Sequence, residues 1–295
     1  MVALWELAST SVGGHATVGH VAGTALTFLL YEVSRFTCCE WFTRAFCAKT
    51  YDAMTVVDKR MWLSRMVSNM HVVTSLYFAF TAIFANRPAW EACGGTWDCG
   101  SLLVARGETD LNCQIALVNS AGYFVSDVVD LARTRWGLGY KKDSGPLVFG
   151  HHLSGIGASV ATIYFNRGAL LFIVWMLTEL TTPFANGLYF FAKLNQPTLR
   201  TLSGMALLVG FATTRLPLSP LTGYYVLFHH REEYLTMPFY LLRYLEVLLG
   251  FATLMNYFWF WRILLGTLKA AGLVKKKMTA DDAKYFSKAE GAKVD

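Results

Sequence analysis

Apolar residues along this chain gather into runs about as long as a bilayer is thick, roughly 20 residues in helical form. The runs fall near 13–34, 66–86, 112–132, 146–165, 168–192, 200–228 and 238–266, and short charged or Gly/Pro-rich stretches part them. This pattern predicts an all-α polytopic membrane bundle with about seven transmembrane helices, six to eight if the sixth run is counted differently. Pro217 and Pro220 interrupt that run. Such breaks are tolerated in a membrane where neighbouring helices or a cavity satisfy the freed backbone groups. Three parts follow: residues 1–59, a first span and a basic cytosolic loop; residues 60–268, the main membrane domain; and residues 269–295, a lysine-rich cytosolic tail.

Composition agrees with the pattern. Of 295 residues, 54% are hydrophobic and only 16% charged, more apolar surface than one water-soluble core of ordinary build would hide. Met1 to Ser11 contains no Lys or Arg, so a cleavable signal peptide is not expected. The charge distribution sets an orientation. Arg35, Arg44, Lys49, Lys59, Arg60 and Arg65 follow the first run, Arg133, Arg135, Lys141 and Lys142 the third, and Lys193 and Arg200 flank the end of the fifth. Arg262, Lys269 and Lys275 to Lys277 come at the end of the chain. Seven spans put all of these on one side, which the positive-inside rule makes cytosolic, together with the C-terminus. The net charge of +6 is thereby accounted for, and no nucleic-acid partner is expected.

Cys93 and Cys99 flank Gly94-Gly95 in the long non-cytosolic loop and could form a disulfide there. Cys38, Cys39 and Cys47 lie near the cytosolic end of the first run, where acylation is available. Free structural thiols fit all six cysteines equally well. No cysteine or histidine spacing is that of a zinc site, so no metal is expected.

Charged side chains inside spans cost roughly 2.5–3.5 kcal/mol each on insertion scales and so need a partner, a cavity or a purpose. Three consecutive spans carry them. Tyr123, Asp127 and Asp130 are spaced i, i+4 and i+7, which puts a phenol and two carboxylates on one helix face. His151 and His152 open the next span, ahead of Ser154, Gly155, Gly157 and Ala158, a face small enough for another helix to approach closely. In the fifth run Glu179, Thr182 and Asn186 share a face, and Pro183 lacks the N–H that would bond the Glu179 carbonyl. His151, His152, Asp127, Asp130 and Glu179 are the candidate catalytic groups, and Tyr123, Thr182 and Asn186 the candidate substrate contacts. Each alone could equally be a clamp between helices. His229-His230, followed by Arg231-Glu232-Glu233, reads as a polar surface loop.

Tyr123-Phe124-Val125-Ser126-Asp127, His151-His152 and Glu179-x-Thr181-Thr182-Pro183-Phe184-x-Asn186, in this order, resemble the TLC-domain family over roughly 60–268. Ceramide synthases share this domain with translocon-associated and other membrane proteins. The third motif looks most like the transmembrane branch outside the ceramide synthases. Those enzymes follow their His-His pair with a His-Asp-x-x-Asp group, whereas Thr178, Glu179 and Thr182 stand at the corresponding places here. The resemblance implies an integral protein of the endoplasmic reticulum that handles a membrane lipid, such as a sphingoid base or an acyl chain, in a polar-lined cavity and contributes to lipid homeostasis. The alternative it implies is an N-acyltransferase with no resident cofactor, acyl-CoA as co-substrate and a sphingoid-type amine as acceptor. A homo-oligomer is left open, as is a structural role in assisting insertion of other membrane proteins.

Overall fold

The first long helix begins where Thr17 caps it. The Thr17 hydroxyl accepts from the His20 amide at 3.4 Å, and His20 Nδ1 accepts from the Thr17 amide at 3.1 Å, so two orphan amides are satisfied reciprocally. The run expected from residue 13 therefore starts late. Ser11–Gly13 (β1) instead pairs antiparallel with Ala16–Thr17 (β2) ahead of the cap. In this computed structural model residues 11–13, 16–85, 111–139, 146–229 and 231–273 are described. Cys93, Cys99, Lys141, Lys142, His230 and Lys275 to Lys277 lie outside them.

The helices are α1 (Val18–Phe36), α2 (Cys38–Asp52), α3 (Val56–Ala85), α4 (Leu111–Ala132), α5 (Pro146–Phe165), α6 (Ala169–Met176) and α7 (Thr182–Lys193). They continue as α8 (Pro197–Gly210), α9 (Leu216–Tyr224), α10 (Arg231–Leu235) and α11 (Phe239–Ala270). A π turn, Arg133–Gly137, prolongs α4; a 3₁₀ turn, Leu177–Thr181, joins α6 to α7; and another π turn, Phe211–Arg215, joins α8 to α9. The seven expected runs correspond to α1, α3, α4, α5, α6 with α7, α8 with α9, and α11. Four segments, Val56–Ala85, Leu111–Gly137, Pro197–Phe228 and Phe239–Ala270, are long and apolar enough by length and composition to cross a membrane.

Burial shows which solvent this bundle expects. Leu26, Val73 and Leu254 are 60%, 69% and 74% exposed, while Arg35 and His71 are 0% exposed. Asp127, Asp130, Glu179 and Arg215 are buried as well. Apolar side chains outward and charges inward is the arrangement lipid demands. The chain is an all-α integral membrane bundle.

Two local readings change. The segment after the first span, expected to be a loop, is the helix α2. Its charges are spent locally, with Arg44 reaching Glu40 at 2.9 Å and Asp52 at 2.7 Å. Cys39, Thr43 and Tyr51 face inward, and Trp41, Phe42 and Phe46 stay exposed, the division of an interfacial amphipathic helix. The small face of α5 seats aromatic rings, where a helix backbone was expected. A Cβ on Gly155 would lie 2.6 Å from the Phe124 ring, and one on Gly157 2.3 Å from Tyr244 Oη. Close backbone approach occurs instead between α4 and α1, where a Cβ on Gly122 would lie 2.8 Å from the Thr24 carbonyl oxygen and 2.9 Å from the Phe28 amide nitrogen. The proline-broken sixth rod is tied to α11: Asn256 Nδ2 donates to the Arg215 carbonyl at 3.4 Å and to Ser219 Oγ at 3.3 Å.

Candidate functional site

Glu179 reaches the interior because its backbone is not α-helical. With Pro183 unable to donate, the chain tightens into the 3₁₀ turn Leu177–Thr181, and the Glu179 carbonyl accepts from the Thr182 amide. The acceptor expected to be free at this corner is therefore satisfied. The Thr182 hydroxyl donates to Glu179 Oε2 at 2.8 Å, and Arg215 Nη2 stands 3.4 Å from Oε1. Arg215 comes from the π turn of the sixth rod, and its Nε donates to Thr181 Oγ1 at 2.8 Å and to the Thr178 carbonyl at 3.2 Å. One turn beyond Thr182, Asn186 is held by α3: its Nδ2 donates to Asn69 Oδ1 at 2.7 Å, and its Oδ1 accepts from Arg65 Nη1 at 3.2 Å.

On the facing side, α4 and α5 bring together Asp127 and His152, with Oδ2 and Nε2 3.2 Å apart. Ser64 of α3 donates to the other Asp127 oxygen at 3.3 Å. A carboxylate on one ring nitrogen fixes the orientation and tautomer of an imidazole. His152 Nδ1 is buried without a hydrogen-bond partner among the described residues. Among the described residues His151 makes ring contacts alone, edge-on to Trp259 at 5.3 Å and to His152 at 5.3 Å. Tyr123 lies flat against His71, with centroids 3.8 Å apart and planes 9° from parallel.

These groups border a cavity of about 390 Å³, lined among others by Tyr123, Asp127, His151, His152, Glu179, Thr182 and Asn186. Seven of the eight residues singled out from sequence thus share one space. Asp130 does not line it. Its carboxylate lies between two guanidinium groups, 2.6 Å from Arg35 Nη1 and 2.5 Å from Arg60 Nη2. It stands one turn from Asp127, but on the side that packs against α1. Among the described residues no cluster of three or more His, Cys, Asp or Glu is placed to hold a metal ion.

Residues 61–265 match the family model of the TLC domain, more than half of the chain and the whole region that builds this cavity. The chain belongs to the TLC-domain family. No characterised protein and no solved structure gives a match. Within the TLC domain three buried features escaped the sequence. Arg215 is a charge inside a span beside Pro217, a signal of its own that the proline break obscured. His71, fully buried with Nε2 2.6 Å from Ser75 Oγ, sits among Ser68, Asn69, Thr74 and Ser75 in its span. The third is a second, apolar chamber of about 110 Å³ between α5, α6 and α11, lined by residues such as Ala158, Leu171, Leu245 and Leu249. Phe124, His151, Glu179 and Arg215 line both chambers.

Proposed function

We propose that this TLC-domain protein binds a membrane lipid with its polar head in the larger cavity and part of its hydrocarbon chain in the apolar chamber, and so contributes to membrane lipid homeostasis. The observation that carries the reading is the shared wall of Phe124, His151, Glu179 and Arg215. A polar space and an apolar space that meet at four residues suit an amphiphile, because each part of the ligand finds a matching environment. The basic residues gathered at the ends of α1 and α4 support an orientation with this end of the bundle and the C-terminus in the cytosol. Kinship supports placement in the endoplasmic reticulum.

The test is lipid analysis of the protein purified in mild detergent, for the wild type and for Ala158→Phe, which fills the apolar chamber. A lipid retained near one per protein and lost in the variant is the expected result. A wild-type preparation without stoichiometric lipid refutes the proposal.

One observation favours a second reading, acyl transfer to a long-chain amine. The His152–Asp127 pair is built like a general base with its orienting carboxylate, and the neighbouring His151 ring faces both chambers. In that reaction the amine nitrogen attacks the acyl-CoA thioester carbonyl, His152 takes the amine proton, and the CoA thiolate leaves. Amide product from acyl-CoA and a sphingoid amine, abolished in Asp127→Asn and His152→Ala, would establish it. Absence of product across chain lengths leaves binding as the function.

A further inference from the structure

We infer that the lipid bound in this cavity is an anionic amphiphile, with a carboxylate or phosphate head, and not an amine; the inference rests on the lipid-binding reading above. Four guanidinium groups border the two chambers, Arg65, Arg215 and Arg262 around the polar one and Arg167 and Arg215 around the apolar one. Among the described residues only two carboxylates do so, Asp127 and Glu179. Counting guanidinium and carboxylate groups alone, the lining carries an excess of positive charge inside an apolar bundle, where charge is costly.

The partners already made sharpen the point. Both carboxylates are engaged: Asp127 with His152 and Ser64, Glu179 with Arg215 and Thr182. A cationic head would find no carboxylate without a partner and would have to break one of these contacts. Donors are in better supply. Arg262 stands exposed at the rim with its guanidinium over the Phe258 ring at 5.9 Å. Arg215, only 5% exposed, spends Nε on Thr181 and Nη2 on Glu179 at a long 3.4 Å, while Nη1 makes no hydrogen bond among the described residues. Guanidinium groups suit planar, two-oxygen anions because their parallel N–H bonds match both oxygens. A head group at Arg215 and Arg262 leaves the chain pointing past Phe124 into the apolar chamber.

The experiment is equilibrium binding to the full-length protein in phosphatidylcholine nanodiscs. The probes are palmitate, lysophosphatidic acid, methyl palmitate and sphingosine, and each is measured on wild type, Arg262→Gln and Arg215→Lys. The expected result is binding of palmitate or lysophosphatidic acid at least about tenfold tighter than of the ester or the amine. Arg262→Gln should weaken the anions about tenfold and leave the ester unchanged. Arg215→Lys keeps the charge but loses the fork and should weaken palmitate less than Arg262→Gln does. The better of the two anions identifies the head as carboxylate or phosphate. Equal or tighter binding of sphingosine or methyl palmitate overturns the anionic assignment while lipid binding stands. If none of the four binds, both readings fail.

Discussion

Asp130→Asn should cost this protein stability and leave its cavity chemistry in place. The side chain is 2% exposed and neutralises Arg35, which is 0% exposed, at 2.6 Å and Arg60 at 2.5 Å. Removing one partner of a buried ion pair costs about 3–5 kcal/mol, because the other charge is left uncompensated. Glu32, 3.4 Å from Arg35, and Ser126, which accepts from Arg35 Nη2 at 3.0 Å, remain to share that charge. The lower end, about 3 kcal/mol, is therefore expected. At about 2–4 °C per kcal/mol for a chain of this size, the unfolding midpoint should fall by roughly 6–12 °C. The native tryptophans report it by fluorescence in a detergent melt. Adding Arg35→Gln to the variant should recover part of the loss, since the stranded charge is then gone. Lipid retention measured well below the new midpoint should match wild type. An unchanged midpoint with lost ligand would refute the reasoning and return Asp130 to the site.

Gly122→Ala should push α1 off α4, since the new methyl meets backbone at 2.8 and 2.9 Å that no side-chain rotation relieves. A loss of about 1–3 kcal/mol is expected, read in the same melt; a wild-type midpoint would show that the two helices are not held this closely. Arg44→Ala, by contrast, removes ion pairs on an exposed face of α2, where water and salt already screen them. Its midpoint should stay within error of wild type, and a clear drop would assign α2 a tighter role in the fold.

Spans were legible in the sequence because a lipid solvent writes them as long apolar runs, and the site was legible because charges stand out against such runs. Asp127, His151, His152 and Glu179 needed only spacing to be placed on inward faces. Asp130 shows where that method stops. Position i+7 put it on the same stripe, yet a helix stripe is wide enough to face two neighbours, and α1 supplies Arg35 on the far side of it. Helix α2 was hidden for a related reason. Lys, Arg and Glu along 38–52 lower its mean apolarity, and neither Trp41, Phe42 and Phe46 nor the three inward residues form an unbroken run. The apolar chamber had no signature at all, since Ala158, Leu171 and Leu249 look in sequence like any other lipid-facing residue.

Helix α1 lies ahead of the matched region 61–265, and its relation to α4 has a practical consequence for anyone who cuts the gene. Tyr31 reaches across to Asn119 at 3.0 Å and Thr74 at 2.8 Å, Arg35 reaches Asp130, and Glu32 takes Ser126 and Arg133. An expression fragment trimmed to the matched boundaries would keep the wall that carries Asp127 but strip its backing. It would leave the Gly122 groove open to solvent or lipid and strip Asp130 of both its cations, since Arg35 and Arg60 lie ahead of residue 61. A boundary drawn by family likeness is here a line through the middle of a folding unit, so fragments for expression should begin no later than the cap at Thr17.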